Sequence, residues 1–352
     1  MRLGLDATPL LGQRSGVGTY VAGLLSGLRQ VTQPPEVVLT AFTWRGTEGL
    51  PDGYARGRRF PARILQEAWM RADAPPVEWL SGRVDVFHAT NYVLPPSRKA
   101  AGVLSVHDLS YEHHADTVTA ATLRYRTLVP RALRRGAYVL ALTETVAGEV
   151  RDHYDLPADR VGVARPGVDE EWFAPAARPA GLPEEYVLFV GNREPRKNLP
   201  VLLDAMARLW PKVPPLVLVG PSGWGPALDA SGLPPEAVVI PGYLSEEALR
   251  GAVAGASALA FPSRYEGFGL PPVEAFACGT PVVASDIPVL REVLGPHATY
   301  AAAGDAEALA AAIAEALDAP PTSAEARREH ARQYTWRRCA AEAMDAYLRA
   351  LR

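Results

Sequence analysis

Short apolar runs alternate with longer amphipathic stretches along most of the chain, the pattern of βαβ units and parallel sheets. In the first half, Arg2–Asp6, Val37–Phe42, Val84–His88, Gly102–His107 and Tyr138–Leu142 read as strands. Gly18–Gln30, Tyr125–Arg135 and Thr145–His153 read as helices. A second series opens at Tyr186, with strands Tyr186–Val190, Leu216–Val219, Val238–Ile240, Ala258–Ala260 and Pro281–Ala284. Its helices are Leu199–Trp210, Ser245–Gly255, Pro271–Ala277 and Ala306–Ala316. Between the series, Arg165–Glu184 is rich in proline and glycine and reads as an interdomain linker. The tail Trp336–Arg352 reads as an amphipathic helix. The pattern predicts an α/β chain of two doubly wound, Rossmann-like domains. Ligand is expected outside the carboxyl ends of the strands, in a cleft between the domains.

Composition narrows the function. At 352 residues the chain exceeds one ordinary core and suits two domains. A formal net charge of -3 excludes a global basic field for gripping nucleic acid. Cys278 and Cys339 stand far apart, so neither a disulfide framework nor a zinc site is suggested. The first residues lack a long apolar core, so no signal peptide is expected. No apolar run approaches the roughly 20 residues needed to span a bilayer. A cytoplasmic protein is the expectation.

The most informative segment is Phe261–Asp286, FPSRYEGFGLPPVEAFACGTPVVASD. A strand leads into a loop carrying Glu266, Gly267, Phe268, Gly269 and Leu270; Pro271 and Pro272 then open a helix bearing Glu274. Two glycines let the backbone approach a ligand, and the amides of the loop and helix start, with the helix dipole, suit a diphosphate. Glu274, about one turn into the helix, can accept from ribose hydroxyls, and Glu266 from sugar hydroxyls. Taken alone, two glutamates at this spacing would read as a capped helix with a solvated face.

The surrounding residues change that reading. The E-x7-E pair, the GFGLP between its members and the following ACGTPVVASD resemble the signature of family-4 retaining glycosyltransferases, and the resemblance extends over nearly the whole chain. It implies two facing Rossmann-like domains (GT-B): an acceptor-side domain over 1–168, a nucleotide-sugar domain over 185–335, and a terminal helix, 336–352, returning to the first. It also implies catalysis without a metal ion or cofactor, the nucleotide sugar being a substrate. In the loop VLFVGNREPRKNL, Val187–Leu199, the resemblance makes Lys197 and an arginine the cations of the donor diphosphate. Asn192 takes a slot that often holds arginine, leaving Arg193 and Arg196 as alternatives.

Further positions follow from the same resemblance. Gly16, in Ser15–Gly16–Val17–Gly18, matches a glycine turn near the donor. His107 maps beside the donor sugar with Asp108 next to it, and His88 is an acceptor-side candidate. Tyr243 and Leu244, after the strand at Val238–Ile240, are candidates for the nucleobase pocket. A nicotinamide site fits poorly, because Val21 stands where the third glycine of GxGxxG belongs and no acid ends the second strand near Phe42–Trp44. The stretch LRYRTLVPRALRR, residues 123–135, holds five arginines and no acid. It reads as a solvated basic helix or, alternatively, as a peripheral membrane contact through Arg124–Arg135.

The reading is a retaining, metal-independent hexosyltransferase with His107, Glu266, Lys197 and Arg196 as its chemical residues. GDP-mannose is the first expected donor, from the mannosyltransferase-like phrasing of HDLSY and VGNREPRKN. UDP-glucose, UDP-N-acetylglucosamine and dTDP-rhamnose stay open, as does the acceptor: a glycan, a lipid-linked sugar or a small molecule. The other classes are a retaining glycoside phosphorylase of the same fold and a non-catalytic nucleotide-sugar-binding protein.

Overall fold

The computed structural model describes every residue except 13–14, 45, 47–48 and 225–227. The chain divides into two units: Met1–Gly167 with Thr335–Arg352, and Val168–Tyr334. Among the described residues no helix is long and apolar enough to cross a membrane.

The first unit holds strands β1 (Arg2–Asp6), β2 (Glu36–Thr40), β3 (Ala55–Arg56), β4 (Val86–Ala89), β5 (Ala101–Val106), β6 (Tyr138–Ala141) and β7 (Val161–Val163). They form one sheet in the order β3-β2-β1-β4-β5-β6-β7. Every pairing is parallel. The second unit holds β8 (Val187–Val190), β9 (Leu216–Val219), β10 (Val238–Gly242), β11 (Ala258–Phe261), β12 (Val282–Ser285) and β13 (Thr299–Ala301). Its sheet runs β10-β9-β8-β11-β12-β13, again parallel throughout. Both are doubly wound sheets whose order reverses beside the first strand, between β1 and β4 and between β8 and β11.

Local chemistry explains the elements. VLFV, LVLV and VVAS are buried along their length because helices cover both faces of a parallel sheet. Side-chain caps start the helices that follow: Ser15 accepts from the Gly18 amide, Thr143 from Val146, Ser245 from Ala248 and Asp305 from Ala308. The three strands missing from the sequence reading, β3, β7 and β13, have two or three residues each. Such pieces are too short to show a period, and their neighbours in the sheet define them. The helices Ala62–Arg71, Pro288–Leu294 and Ala324–Ala331 were also not read from the sequence.

The segment read as a linker is divided. Arg165 bonds to Glu342 and Glu144 in the first unit. From Val168 the chain packs into the second, where Trp172 is buried and its carbonyl accepts from the Cys278 thiol.

The helix Trp336–Ala350 belongs to the first unit and packs on the helix Gly16–Leu28. Two glycines permit the approach. A Cβ on Gly27 would lie 2.0 Å from the Trp336 carbonyl oxygen, and one on Gly23 would lie 2.1 Å from the Trp336 ring. Because the obstacle at Gly27 is backbone, Gly27→Ala must push the helices apart. The expected cost is about 1–3 kcal/mol. That corresponds to a fall of several degrees in Tm, at roughly 2–4 °C per kcal/mol. An unchanged melting curve would show that this contact is looser than drawn.

Candidate functional site

In the second unit, the loops leaving β8 and β11 meet where the strand order reverses. Gly191 (φ 151°) ends β8, and its amide donates to Val219. The loop then turns through Pro195–Lys197 to Asn198, held left-handed at φ 57°. The Arg264 amide donates to the Arg196 carbonyl at 2.9 Å, and the Arg264 Nε to Asn198 Oδ1 at 3.2 Å. These bonds clasp the β8 loop to the β11 loop.

The clasp gathers charge. Lys197 Nζ donates to Glu266 Oε1 at 2.7 Å and lies 4.6 Å from the Phe261 ring centroid. Arg196 Nη1 lies 2.9 Å from Glu266 Oε2 and donates to the Tyr265 carbonyl at 2.7 Å. Each oxygen of Glu266 therefore faces one cation. Burial by itself would raise the Glu266 carboxyl, but Arg196 and Lys197 hold it down at about 2. Burial lowers the Lys197 ammonium against the pull of Glu266. Asn198 Nδ2 and Arg193 Nε are buried without a hydrogen-bond partner among the described residues. Such orphaned donors are rare and mark a place where a ligand can complete the network.

The helix Leu270–Cys278 begins beside this cluster. Gly269 precedes it at φ 97°, a conformation that favours glycine. Pro271 and Pro272 lack amide hydrogens, so the first turn has fewer donors than usual while the helix dipole is undiminished. Glu274 keeps a route to solvent, yet enough protein surrounds it that burial, reinforced by Asp169 and Glu246, raises its carboxyl to about 8. Ionisation is thus opposed by the fold. The native state loses stability as pH rises from the ordinary carboxylate range through 8, relative to a chain without this group. Glu274→Gln should therefore unfold at higher temperature than the parent at pH 9, by on the order of 1–2 kcal/mol. The gain should shrink toward pH 5. An equal Tm at both pH values would refute the raised carboxyl.

The remaining donor candidates divide. Tyr243 stands 73% exposed after β10 at the same strand edge, with Leu244 partly buried beside it, so Tyr243 is not a core residue. Asn192 donates to Glu194. The Phe268 ring is buried edge-on to Tyr334, which leaves only its backbone for a ligand. Gly267 and Gly269 are buried in the same loop, with Leu270 partly accessible at the helix start. The sequence reading missed Asn198; its signal was an asparagine immediately before a helix.

In the first unit, His107 lies just past β5. Its Nε2 donates to the Thr90 carbonyl at 2.8 Å, and burial lowers its pKa. The ring is then neutral with Nδ1 as acceptor. Tyr20 and Tyr92 flank it edge-on at 5.4 and 5.5 Å. Asp108 is partly exposed; its carboxylate accepts from the Ser110 amide, and its backbone pairs with the Tyr92 hydroxyl. Asp6, at the end of β1, was not singled out from the sequence. It is buried, and burial raises it to about 6 despite bonds from Thr8. Gly16 opens its helix, and among the described residues outside its own turn no atom lies within 4 Å of a Cβ built there.

One expectation needs correction. His88 is 0% exposed, with one ring nitrogen bonded to the Tyr347 hydroxyl and the other to Ser105, each at 2.8 Å. It lies within β4 rather than at its end, facing the terminal helix, so it ties the core and meets no acceptor. Four of the five arginines of Arg124–Arg135 meet carboxylates within the fold, Arg124 with Glu67, Arg126 with Glu112, and Arg131 and Arg135 with Asp73, while Arg134 stands exposed. These pairs lower the net positive charge of this face.

Among the described residues, no group of three or more His, Cys, Asp or Glu side chains gathers to hold a metal ion. The arrangement in the second unit offers two positioned cations, a helix start and two carboxylates of opposite character. Such a set can bind a diphosphate and hydroxyl groups together.

Comparison with known proteins identifies the family. Residues 170–334 match the family described as glycosyl transferases group 1, and residues 14–172 match glycosyltransferase family 4. The chain is 30% identical over 282 residues to the O-antigen chain mannosyltransferase B of Escherichia coli, covering 74% of each. It is 31% identical over 292 residues to the D-inositol 3-phosphate glycosyltransferase of Mycolicibacterium smegmatis, covering 78% of this chain and 66% of that one. Among solved structures, the sucrose-phosphate synthase of Thermosynechococcus elongatus superposes with a TM-score of 0.76 at 20% identity, covering 99% of this chain and 98% of that one. Anabaena HepE, in complex with UDP and glucose, superposes at 0.71 and 18% identity, covering 98% of each. The chain belongs to the family-4, group 1 glycosyltransferases and has their two-domain GT-B fold.

Proposed function

We propose that this glycosyltransferase is a retaining, metal-independent enzyme that moves a hexosyl unit from a nucleotide-diphosphate sugar to an acceptor hydroxyl. The observation that carries the proposal is the Arg196–Lys197–Glu266 cluster at the carboxyl ends of β8 and β11. The leaving group is a nucleoside diphosphate whose negative charge grows as the bond to the sugar breaks. Lys197 and Arg196, already fixed by Glu266, stabilise that charge without reorganising. Acceptor oxygen attacks the anomeric carbon on the face from which the diphosphate departs. Its proton passes to the departing phosphate oxygen, so no carboxylate nucleophile is required. Glu266 accepts from sugar hydroxyls, Glu274 from the ribose, and Tyr243 and Leu244 meet the base. Neutral His107 offers Nδ1 to a substrate hydroxyl.

Relatives named as mannosyltransferases favour GDP-mannose. HepE, solved with UDP-glucose, keeps UDP sugars in the same test. The test is thermal unfolding against GDP, UDP, dTDP and ADP. A nucleotide at roughly 100 times its Kd adds about 2.7 kcal/mol. A shift with GDP alone, followed by turnover of GDP-mannose in EDTA with the anomeric configuration kept by NMR, is the expected result. No shift with any nucleotide would sink the donor assignment.

A further inference from the structure

Tyr92, in the loop after β4, has φ 59°, a left-handed conformation that strains a bulky residue. Asp155 and Asn198 share that conformation, but their residue types tolerate it. A tyrosine stays there only where its surroundings hold it, and here they do. The Tyr92 hydroxyl accepts from the Asp108 amide at 2.9 Å and donates to the Asp108 carbonyl at 3.2 Å. Its ring stacks on Tyr125 at 4.5 Å and stands edge-on to His107 at 5.5 Å. One side chain thus ties the loop after β4 to the loop after β5, at the residue next to His107.

The tie bears on one hydrogen bond. The Thr90 carbonyl, two residues before Tyr92, accepts from His107 Nε2 at 2.8 Å. That bond decides which ring nitrogen carries the proton and leaves Nδ1 as the acceptor. Thr90 has an anchor of its own, because its hydroxyl donates to the Asp6 carbonyl at 2.7 Å, at the end of β1. The carbonyl is therefore fixed to β1 through Thr90 and to the His107 loop through Tyr92. We infer that Tyr92 is a positioning residue for sugar transfer: its two bonds to Asp108 keep His107 against the Thr90 carbonyl, so that Nδ1 is presented to substrate. This role rests on the proposed contact between His107 and a substrate hydroxyl. A ring required for packing alone would serve as well without its hydroxyl. Y92F keeps the ring and removes both bonds. Thr90 then stays with β1, the His107 loop can shift from it, and the proton of the neutral ring can pass to Nδ1.

The test compares the parent, Y92F and H107Q as full chains. It reads thermal unfolding, release of GDP from GDP-mannose, and the long-range 15N–1H spectrum of the histidine rings at a pH that keeps them neutral. H107Q identifies the His107 signals. In the parent, His107 should be a single tautomer protonated at Nε2. In Y92F the tautomers should mix and kcat should fall about 10–100-fold, the usual loss from a small misplacement of a reacting group. The donor KM should change little, since the nucleotide is assigned to the second unit. The spectrum is read without donor, so it judges Tyr92 even if the donor assignment fails. A single tautomer retained in Y92F overturns the role, whatever happens to Tm or turnover. Mixed tautomers with turnover within about twofold of the parent overturn it as well. Undiminished turnover in H107Q would remove the contact between His107 and substrate, and the role of Tyr92 with it.

Discussion

Lys197→Ala is expected to lower kcat/KM for the nucleotide-sugar donor by roughly 10²–10³-fold, the usual loss when a positioned donor to developing negative charge is removed. The loss should fall mainly in kcat, because the leaving diphosphate gains charge only as the bond breaks. The fold should survive, since Glu266 retains Arg196 at 2.9 Å in the absence of the lysine. A normal melting curve together with a large loss of turnover separates chemistry from unfolding. Turnover within a few fold of the parent would remove Lys197 from the mechanism and weaken the proposal with it. Lys197→Arg should recover little, because a planar guanidinium does not replace a compact ammonium above the Phe261 ring.

Glu266→Gln has the larger structural consequence. It removes the carboxylate in contact with both Arg196 and Lys197, leaving two crowded, largely buried cations with Glu194, 3.6 Å from Arg196, as a nearby counter-charge. Breaking a buried ion pair from one side typically costs about 3–5 kcal/mol. That amounts to a fall of roughly 10 °C in the melting of the second unit. The pH dependence fixes the cause. The Glu266 carboxyl is held at about 2, below its ordinary value of 4.5, so its contribution is fully present above 4.5 and fades as pH falls toward 2. The gap between parent and variant should be widest near neutrality and narrow in acid. A gap that stays constant down to pH 2.5 would mean that the variant fails through packing rather than through charge. Glu266 thus has two expected duties, holding the cations and meeting the sugar, whereas Glu274 is expected to bind at the expense of stability.

The charged cluster of the second unit was legible because its residues are local in the chain. Glu266, the glycines and Glu274 lie within nine consecutive residues, and Arg196 and Lys197 within one loop, so spacing along the chain nearly equals spacing in space. Other positions failed where long-range packing decides. His88 ends an apolar run and so resembled a residue at a strand end; Tyr347, 259 positions away, claims its ring. The arginines of the 123–135 stretch look unopposed because their partners Glu67 and Asp73 lie about 60 residues earlier.

By itself the sequence determined the α/β class, the position of most strands, the family and the two loops on which the proposed donor site rests. Each of these rests on periodicity or on residues close together along the chain. The tertiary structure alone decided which groups are charged and which surface is open. It set Glu266 between two cations, surrounded Glu274 so that it resists ionisation, and paired Arg126 and Arg131 of one helix with carboxylates from elsewhere in the unit. It also brought Trp44, Phe60 and Trp79 into one exposed patch. The physical reason is common to all of them. Charge state and exposure depend on every neighbour in three dimensions, and parallel sheets recruit those neighbours from distant parts of the chain.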